Sequence, residues 1–554
     1  MCPKRQSMSH KQLKSLLIFV VLLLSGCGGS SGGETPAPPP PPPVDVISKA
    51  EAFRFLNQAS FGATEAEAQR VIDMGFAAWI DEQMQVPASL QLPYLKSLPR
   101  PAFLFELQDD RVDIWFRNVV NGGDQLRQRV AFALSEIMVV SQFGALIDQT
   151  YSLADYHDLL VRNAFGNYRD LIGEVTLHPA MGVYLSMLGN EKPNPSLNIR
   201  PDENYARELM QLFSIGLVEL NIDGSTRLDG FGQAIPTYDQ ATIEGFAHVY
   251  TGWNYAGAPG FHFAFPNDSN QTLPMQLYPA FHDTGSKQLL NGVTLPAGQS
   301  GDDDLNDALD NIFNHPNVGP FIATRLIQRL VTSNPSRPYV QRVAATFNNN
   351  GSGVRGDLAA VVRAILLDPE ARPETPMDLD GKIKEPLIRL TQLWRAYGAD
   401  SASGRLPFAG AYIFFGQGPL QAPSVFNFFS PFYAPPGEIR DSSLVAPELQ
   451  IATEFQNTLL TNYFLFQAIG LTSEATGLAD DDIFIDIDEE MMVADDTDAL
   501  VDRVAGKLLA GEISTTLETE LKGMINRIPV SERALRAGEA IYFIASSPEF
   551  AYQR

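Results

Sequence analysis

Three ionisable side chains in one short stretch could carry chemistry. The segment "RPDENYARELMQLFSIG" (200–216) holds Glu203, Arg207 and Glu208, and carboxylates beside a guanidinium can act as acid, base and anion-binding group. On a helical wheel Glu203 and Arg207 are i,i+4 neighbours, which is typical of a surface ion pair. Glu208 lies beside the apolar stripe, where a carboxylate needs a partner. We predict a helix over 202–216 and treat these three residues as candidate catalytic groups.

Three histidines stand in settings that could supply metal ligands. They are His178, His282 and His315, and Asp283 follows His282 directly. With the two carboxylates named above they could bind a divalent metal, since imidazole and carboxylate suit zinc or another first-row ion. No spacing demands this site, because no two of these histidines are helical neighbours. The alternative is structural: His178 and His315 each precede a proline just before a predicted helix, where an imidazole can cap the helix.

One acidic segment resembles a calcium-binding loop. In "ELNIDGSTRLDG" (219–230), Glu219, Asn221 and Asp223 alternate, but Gly230 stands where the bidentate glutamate of such a loop belongs. Asp-Gly between short apolar runs is typical of a tight turn. We therefore predict a β-hairpin here. The sequence contains no HExxH motif and no GxxxxGK[ST] phosphate-binding loop.

A cluster of aromatic residues allows two interpretations. Their rings could stack on the sugar rings of an envelope polymer, or they could form the core under a proline-rich loop. The second interpretation is favoured, because each ring buries a large apolar area. The cluster lies within residues 405–440 and comprises Phe414, Phe415, Phe426, Phe428, Phe429, Phe432 and Tyr433.

Apolar residues recur with helical spacing along most of the chain. Thr64 with Glu67 three residues later predicts a capping box at the start of one such helix. Strand-like alternation is scarce. We predict a mainly α fold: a multi-helix globular domain with long loops rich in Pro, Gly and aromatic residues and a few short β-hairpins. The predicted main domain covers 48–470, an acidic connector covers 471–498, and a helical segment over 499–554 packs on the main domain.

The N-terminus predicts export and lipid attachment. Four basic residues precede the apolar run "LLIFVVLLL" and then "LSGC", which ends at Cys27. This order is typical of a bacterial lipoprotein signal peptide, here 1–26, with Cys27 acylated. Gly28 rather than Asp at the next position favours the outer membrane. Residues 27–47 are the lipidated cysteine and a Gly/Ser/Pro-rich tether, whose polyproline part is a stiff spacer.

Charge and cysteine content exclude several function classes. The chain has a formal charge of −25, which becomes −29 once the signal peptide and its four basic residues are removed. A chain this acidic is a poor ligand for nucleic acid, because phosphate neutralisation needs clustered Lys and Arg. The only cysteines are Cys2 and Cys27. The mature chain is therefore expected to lack disulfides, thiolate metal sites and cysteine nucleophiles.

Ten motifs occur in order along residues 50–430. They are "RFLNQASFGAT", "QLRQRVAFALSEIMVVS", "HPAMGVYLS", "PDENYARELMQLFSIGL", "TYDQATIEGFAHVYTGW", "HDTGSKQLL", "HPNVGPFIATRLIQRLVTSNPS", "RVAATF", "KIKEPL" and "GQGPLQAPSVFNFF". Together these motifs resemble the bacterial domain-of-unknown-function 1800 family, and the resemblance covers about residues 50–550. The resemblance implies a secreted or lipidated protein whose gene often neighbours one for a secreted sulfatase-like protein, a candidate partner. It implies no reaction and no active-site residues.

Two functions remain open on the sequence. The first is a cell-envelope lipoprotein without enzymatic activity, a helical scaffold that binds a partner protein or an extracellular polymer. The second is a metal-assisted enzyme, hydrolytic in the simplest case, that uses the histidine, glutamate and aspartate residues named above. A pocket that brings one of these histidines close to Glu208 would favour the enzyme.

Overall fold

The computed structural model describes residues 46–373, 375 and 380–553. Ile47–Arg554 forms one compact unit. Cys27, the signal peptide and nearly all of the tether lie outside the described residues, so these predictions are not addressed by the fold. No helix in the described part of the chain is both long and apolar enough to cross a bilayer.

The described residues form a mainly α structure, as predicted. The N-terminal half contains α1 (Lys49–Ala59), α2 (Glu65–Met74), α3 (Phe76–Gln85), α4 (Leu92–Ser97), α5 (Gln108–Asn121), α6 (Gln125–Ser135), α7 (Thr150–Asn163), α8 (Tyr168–Leu177), α9 (Pro179–Tyr184), α10 (Asn204–Glu208) and α11 (Gln240–Val249). The middle contains α12 (Gly301–Phe313), α13 (Val318–Leu330), α14 (Arg337–Asn348), α15 (Leu358–Leu367) and α16 (Pro386–Ala396).

The C-terminal part adds eight helices, several of them short. They are α17 (Ala411–Phe415), α18 (Glu438–Asp441), α19 (Glu454–Gly470), α20 (Asp488–Val493), α21 (Thr497–Leu508), α22 (Thr515–Ile525), α23 (Arg533–Ala545) and α24 (Pro548–Ala551). Three antiparallel pairs of two-residue strands complete the structure: β1 (Trp253–Asn254) with β2 (Gln276–Leu277), β3 (Lys287–Gln288) with β4 (Thr294–Leu295), and β5 (Lys382–Ile383) with β6 (Tyr552–Gln553).

Helix starts follow the side chains that cap them. Thr64 Oγ1 accepts the Glu67 N–H at 3.2 Å, as predicted for α2. The return bond of a capping box is not formed among the described residues, because the Glu67 carboxylate accepts from Trp79 Nε1 at 3.0 Å instead. A complete capping box begins α1, where Ser48 and Glu51 exchange both bonds.

Two large apolar clusters lie within the compact unit. One is built mainly from α1–α3, α6–α9 and α11–α15, and the other from α5, α16, α19 and α21–α23. The acidic stretch predicted as a connector contributes Ile483, Ile485 and Ile487 to the second cluster. The chain's last helices therefore pack on the same body, and β6 pairs with β5 there.

A close approach of α16 to the loop after α1 joins the two clusters. Gly62 has a φ of 137°, and a Cβ atom there would lie 2.5 Å from Gln392 Cα. Arg395 Nε donates to the Gly62 carbonyl at 2.8 Å, and its Nη1 donates to the Val120 carbonyl at 2.7 Å. These contacts hold α16 against α5 and the loop after α1.

The segment predicted as a hairpin forms two consecutive small turns. Val218 pairs with Pro236 and Leu228 with Ala234, each through an isolated antiparallel bridge. Asp223, proposed as an oxygen ligand in the calcium alternative, instead accepts from the backbone and hydroxyl of Ser225. The structure thus agrees with the hairpin prediction.

Candidate functional site

Glu203 and Arg207 connect two helices. Arg207 Nη2 donates to Glu203 Oε2 at 3.0 Å, as their i,i+4 spacing predicts. Gln240 of α11 donates to both oxygens of the same carboxylate. Asp202 Oδ1 accepts the Asn204 N–H at 2.8 Å, so α10 begins two residues later than predicted. The contacts of Glu203 and Arg207 have an ordinary structural explanation.

Glu208 differs from Glu203 and Arg207 in its burial and in its hydrogen bonding. Its side chain is buried, with only 7% of the residue exposed, and its Oε2 has no hydrogen-bond partner among the described residues. Burial raises the pKa of Glu208, and the Arg207 cation opposes that rise more weakly. The helical wheel placed this carboxylate correctly beside the buried stripe.

The predicted α-helix over 202–216 changes type after Glu208. Residues Leu209–Ser214 form a π-helical turn, in which the Ile215 N–H donates to the Met210 carbonyl at 2.9 Å. Such insertions occur often at functional sites, and they rotate the following side chains relative to a regular helix. Gly216 ends the turn with a φ of 73°, which favours glycine. A Cβ atom there would also lie 3.2 Å from the Phe321 ring.

Two of the predicted metal ligands are capping residues. His178 Nδ1 accepts the Ala180 N–H at 3.1 Å at the start of α9, and its Nε2 lies 3.3 Å from Asp155 Oδ2. His315 Nδ1 accepts the Asn317 N–H at 3.2 Å just before α13. Burial lowers the pKa of both histidines, that of His315 to about 4 with a further contribution from the Arg355 cation. Both imidazoles therefore have the structural role given as the alternative.

His282 belongs to a separate buried ion network. Its Nε2 lies 3.0 Å from Asp304 Oδ2, and its Nδ1 lies 2.9 Å from the Thr251 carbonyl. Lys287 Nζ lies 2.5 Å from the same Asp304 oxygen. His282, Asp304 and Lys287 are all almost fully buried. Each charge or ring nitrogen in this group thus already has a protein partner.

The side chain of Asp283 pairs with His248. The two side chains form a short Nδ1–Oδ2 contact, and Asp283 Oδ1 accepts the Gly285 N–H at 2.6 Å. The hydrogen bond from His248 is the main cause that lowers the pKa of Asp283 to about 2. The structure does not bring His178, His282, Asp283 and His315 together. Within residues 46–373, 375 and 380–553, no three His, Cys, Asp or Glu side chains are arranged to hold a metal ion.

A cavity beside α13 is the strongest candidate site, and we call it the α13 cavity. It has a volume of about 540 Å³. Its walls come from four of the motifs quoted above, which are far apart in the sequence but adjacent in the fold. The lining residues are Glu136, Ile137, Gln211, Leu212, Gly216, Leu217, Val218, Phe321, Arg325, Arg329, Val425, Phe426, Asn427, Ser430, Pro431 and Phe432.

The mouth of the α13 cavity is apolar and exposed. Phe432, Phe426 and Leu217 are 70%, 58% and 57% exposed, respectively. In contrast, Phe415 and Phe429 of the same aromatic cluster are buried. The cluster therefore divides: some rings form core, as favoured from the sequence, and others surround an opening.

Buried polar groups form the floor of the α13 cavity. Glu136 Oε1 accepts from Asn427 Nδ2 at 3.2 Å and from Gln417 Nε2 at 3.4 Å. Gln417 Nε2 also donates to Glu385 Oε2 at 2.6 Å, so one amide bridges two carboxylates. Glu136 Oε2 and Asn427 Oδ1 are buried without a hydrogen-bond partner in the part of the chain that the structure describes. Unsatisfied polar atoms at a cavity floor are sites where a ligand can bind.

Glu136 and Arg329 also belong to a buried network of three basic and three acidic side chains. Lys382 Nζ contacts Glu448 Oε1 at 3.0 Å and Glu385 Oε1 at 3.3 Å. Arg129 Nη2 donates to the Arg329 carbonyl at 2.7 Å, and Arg329 Nε lies 3.6 Å from Glu136 Oε2. All six side chains are buried. Burying so many charges is costly unless they are paired. The network therefore indicates that the protein requires charged groups at this buried position.

The two bridged carboxylates are shifted in opposite directions. Burial raises the pKa of Glu136 well above its usual range, although the Arg329 cation opposes the rise. Burial would also raise the pKa of Glu385, but the cations Lys382, Arg329 and Arg129 together outweigh it and the pKa is lowered. The pKa values of the two carboxyl groups are thus moved apart, an arrangement found at acid–base sites.

The sequence carries a signal for two residues of this network, which the sequence analysis did not single out. Glu136 stands in the apolar run "AFALSEIMVV" and Arg329 in "FIATRLIQRL". A charged residue inside an apolar run is rarely buried unless it is paired. Lys382 and Glu385, in "KIKEPL", gave no such signal because the apolar context there is short.

A second large cavity, of about 560 Å³, lies between α1 and the C-terminal helices. Its buried Lys384 has a pKa lowered to about 7 by burial and by the Arg389 cation. Lys384 Nζ, however, already donates to the Phe550 carbonyl at 2.7 Å, and Glu549 bonds Ser514. Because Lys384 and Glu549 each already have a protein partner, this cavity is a weaker candidate than the α13 cavity.

Comparison with known proteins assigns the family. No curated protein and no solved structure is significantly similar to this chain. The model of the family described as "Protein of unknown function (DUF1800)" matches residues 54–552. That range includes every residue of the α13 cavity and of the network below it. On this match the chain belongs to the DUF1800 family.

Proposed function

We propose that this protein is an envelope lipoprotein, exported and attached to the outer membrane through Cys27, that binds a segment of a partner protein in the α13 cavity. The single observation that carries the proposal is the cavity itself: exposed apolar side chains surround an opening above unsatisfied buried polar atoms. Apolar pockets with a few convergent polar groups are typical binding sites. The tether after Cys27 would hold the cavity away from the lipid surface.

The chemistry of the lining favours a protein partner over an extracellular polymer. Apolar side chains such as Leu212, Phe321 and Phe432 dominate the walls. A saccharide needs a hydrogen-bonding group for each hydroxyl that it buries, whereas an apolar side chain of a protein fits such walls directly. The secreted sulfatase-like protein that the family resemblance implies is the first partner to test.

Site-directed photocrosslinking in the native host tests this function. A photoreactive amino acid replaces Leu217 or Phe426 at the mouth, and a matched control replaces Val530, which is also exposed (59%) but lies outside the cavity lining. The expected result is one discrete crosslinked polypeptide at the first two positions and none at Val530. Crosslinks to carbohydrate would favour a polymer instead. Equal crosslinking at all three positions, or none, would refute a binding role for the cavity.

A second candidate function is acid–base catalysis at the floor of the same cavity. It is favoured by one observation, the Gln417 amide that bridges Glu136 and Glu385, two carboxyl groups whose pKa values are shifted in opposite directions. This candidate transfers the enzyme hypothesis from the histidines to two glutamates. The test uses the partner protein that crosslinking identifies. This partner, not crosslinked, is incubated with the wild-type full chain and, separately, with its Glu136→Gln variant. A mass change in the partner that requires Glu136 would establish catalysis, and an unchanged partner would leave binding as the function.

A further inference from the structure

Arg325 presents a cation to the α13 cavity that no carboxylate neutralises. Its guanidinium carbon lies 4.5 Å from the centre of the Phe432 ring and 5.2 Å from that of Phe321. Nη1 donates to Gln328 Oε1 at 2.7 Å. No acidic side chain among the described residues lies within ion-pair distance of Arg325. The guanidinium is thus held in place by two rings and one amide, with its charge unpaired.

Arg329, one helical turn further along α13, adds positive charge to the same wall. Its guanidinium lies 4.5 Å from the centre of the Phe429 ring. Its nearest carboxylate is Glu136, 3.6 Å away, which is beyond hydrogen-bond distance. Glu136 is also the only acidic residue among those that line the cavity. The lining residues therefore include two cations and one carboxyl group, and that carboxyl group has a raised pKa.

The unpaired Arg325 cation costs the protein free energy, because its charge is partly removed from water. A bound anion can offset that cost. Burial, reinforced by repulsion from Arg329, lowers the pKa of Arg325 to about 9. Cation–π contacts with the two rings offset only part of the free energy lost by removing the guanidinium from water. A carboxylate fits this position, because it can accept two parallel N–H bonds from the planar guanidinium. The rings of Phe321 and Phe432 then cover the apolar part attached to it.

We infer that the α13 cavity recognises a carboxylate next to a bulky apolar group, with Arg325 binding the carboxylate. The inference rests on the proposed function and specifies what the partner segment must contain. Two sources supply this chemistry: a chain-terminal carboxylate after an apolar residue, and an acidic side chain beside an aromatic one. A neutral or cationic segment is expected to bind more weakly.

Three small probes of matched shape test the inference on the full chain. They are 3-phenylpropionate, 3-phenylpropanamide and 3-phenylpropylammonium, with dissociation constants measured by ligand-observed NMR. The carboxylate is expected to bind about tenfold more tightly than the amide, a typical coupling for one charge-assisted contact. In Arg325→Gln this preference should disappear while amide affinity is kept. Arg227→Gln, which removes a paired charge outside the cavity lining, should preserve the preference.

The outcomes separate this inference from the proposed function. If no probe binds the wild-type chain, the cavity is not a binding site and both fail. If all three bind equally, the cavity binds ligands but the carboxylate inference is wrong. Should Arg325→Gln lose its native circular dichroism spectrum, Arg325→Lys keeps the charge without the planar fork, and an undiminished preference there overturns the bidentate contact. N-acetyl-Gly-Phe and N-acetyl-Phe-Glu-amide then distinguish the terminal carboxylate from the side-chain one.

Discussion

Replacing Glu208 is expected to make the protein more stable. Its Oε2 is buried without a partner among the described residues, and the nearest cation on its own helix, Arg207, is bonded to Glu203 instead. Glu208→Met keeps the length and helix propensity of the side chain but removes the carboxylate. The variant therefore tests directly whether this carboxylate stabilises the fold.

The expected gain follows from the cost of one unsatisfied buried group. Such a group costs about 1–3 kcal/mol, so Glu208→Met should raise the free energy of unfolding by about that amount at pH 8. The matched control is Glu203→Met in the turn before it. That carboxylate is partly exposed and its pair with Arg207 spans four residues, so its loss should change stability by less than about 0.5 kcal/mol.

The pH dependence of the gain identifies its cause. The pKa of Glu208 is raised in the folded state, so the folded chain holds this proton more tightly than the unfolded chain. The stability that the folded chain gains by binding this proton is fully present below the pKa of Glu208 in the unfolded chain, about 4.3. It is lost as pH rises through the pKa of Glu208 in the folded chain. The stability difference between Glu208→Met and wild type should therefore be smallest at pH 4 and increase toward pH 8.

Urea denaturation at pH 4, 6 and 8, followed by circular dichroism, measures these differences as shifts in the midpoint at constant slope. A loss of more than about 1 kcal/mol in Glu208→Met at every pH would refute the reasoning, because it would mean that the carboxylate has a stabilising partner. A gain that does not change with pH would show that improved packing, rather than the ionised carboxylate, is responsible. The expected result would mark Glu208 as a residue retained at a cost to stability, as residues of functional sites often are.

Three further outcomes are expected. Asp304→Ala should lower the free energy of unfolding by about 3–5 kcal/mol, because Lys287 then keeps an unpaired buried charge. In the same urea assay, Asp302→Ala at an exposed position of the same helix should lower it by less than about 1 kcal/mol. Gly216→Ala should cost about 1–2 kcal/mol because of its positive φ, and a neutral result would contradict the backbone described here. In cells fed labelled palmitate, the wild-type chain should incorporate the label and Cys27→Ser should not; label in the variant would place the acyl group elsewhere.

Sequence patterns were sufficient for features set by neighbouring residues. The cap at Thr64, the hairpin after Val218 and the pair of Glu203 with Arg207 all depend on contacts within a few positions along the chain. The capping alternative for His178 and His315 was also accessible, because a histidine before a helix-starting proline has a local partner. Periodicity even placed Glu208 correctly beside the buried stripe.

Long-range convergence could not be predicted in this way. The α13 cavity joins residues from Glu136 to Phe432, and no local pattern indicates which side chains meet across such distances. The π-turn at Leu209–Ser214 was missed because the helical wheel assumes 100° per residue, and one inserted residue rotates everything that follows. The aromatic cluster was predicted as one unit, but its members alternate between core and cavity mouth according to tertiary packing.

The π-turn explains why Glu203 and Arg207, the charged pair of segment 200–216, do not line the α13 cavity. Glu203 and Arg207 precede the turn and connect α10 to α11, whereas Gln211 and Leu212 lie within it and form part of the cavity wall. Gly216 then closes the turn against Phe321, at the start of the helix that carries the cavity's two arginines. The charged half of the motif thus fixes the position of the segment, and its apolar half shapes the site. A substitution at Gln211 or Leu212 should therefore act on binding, whereas one at Glu203 or Arg207 should leave binding unchanged.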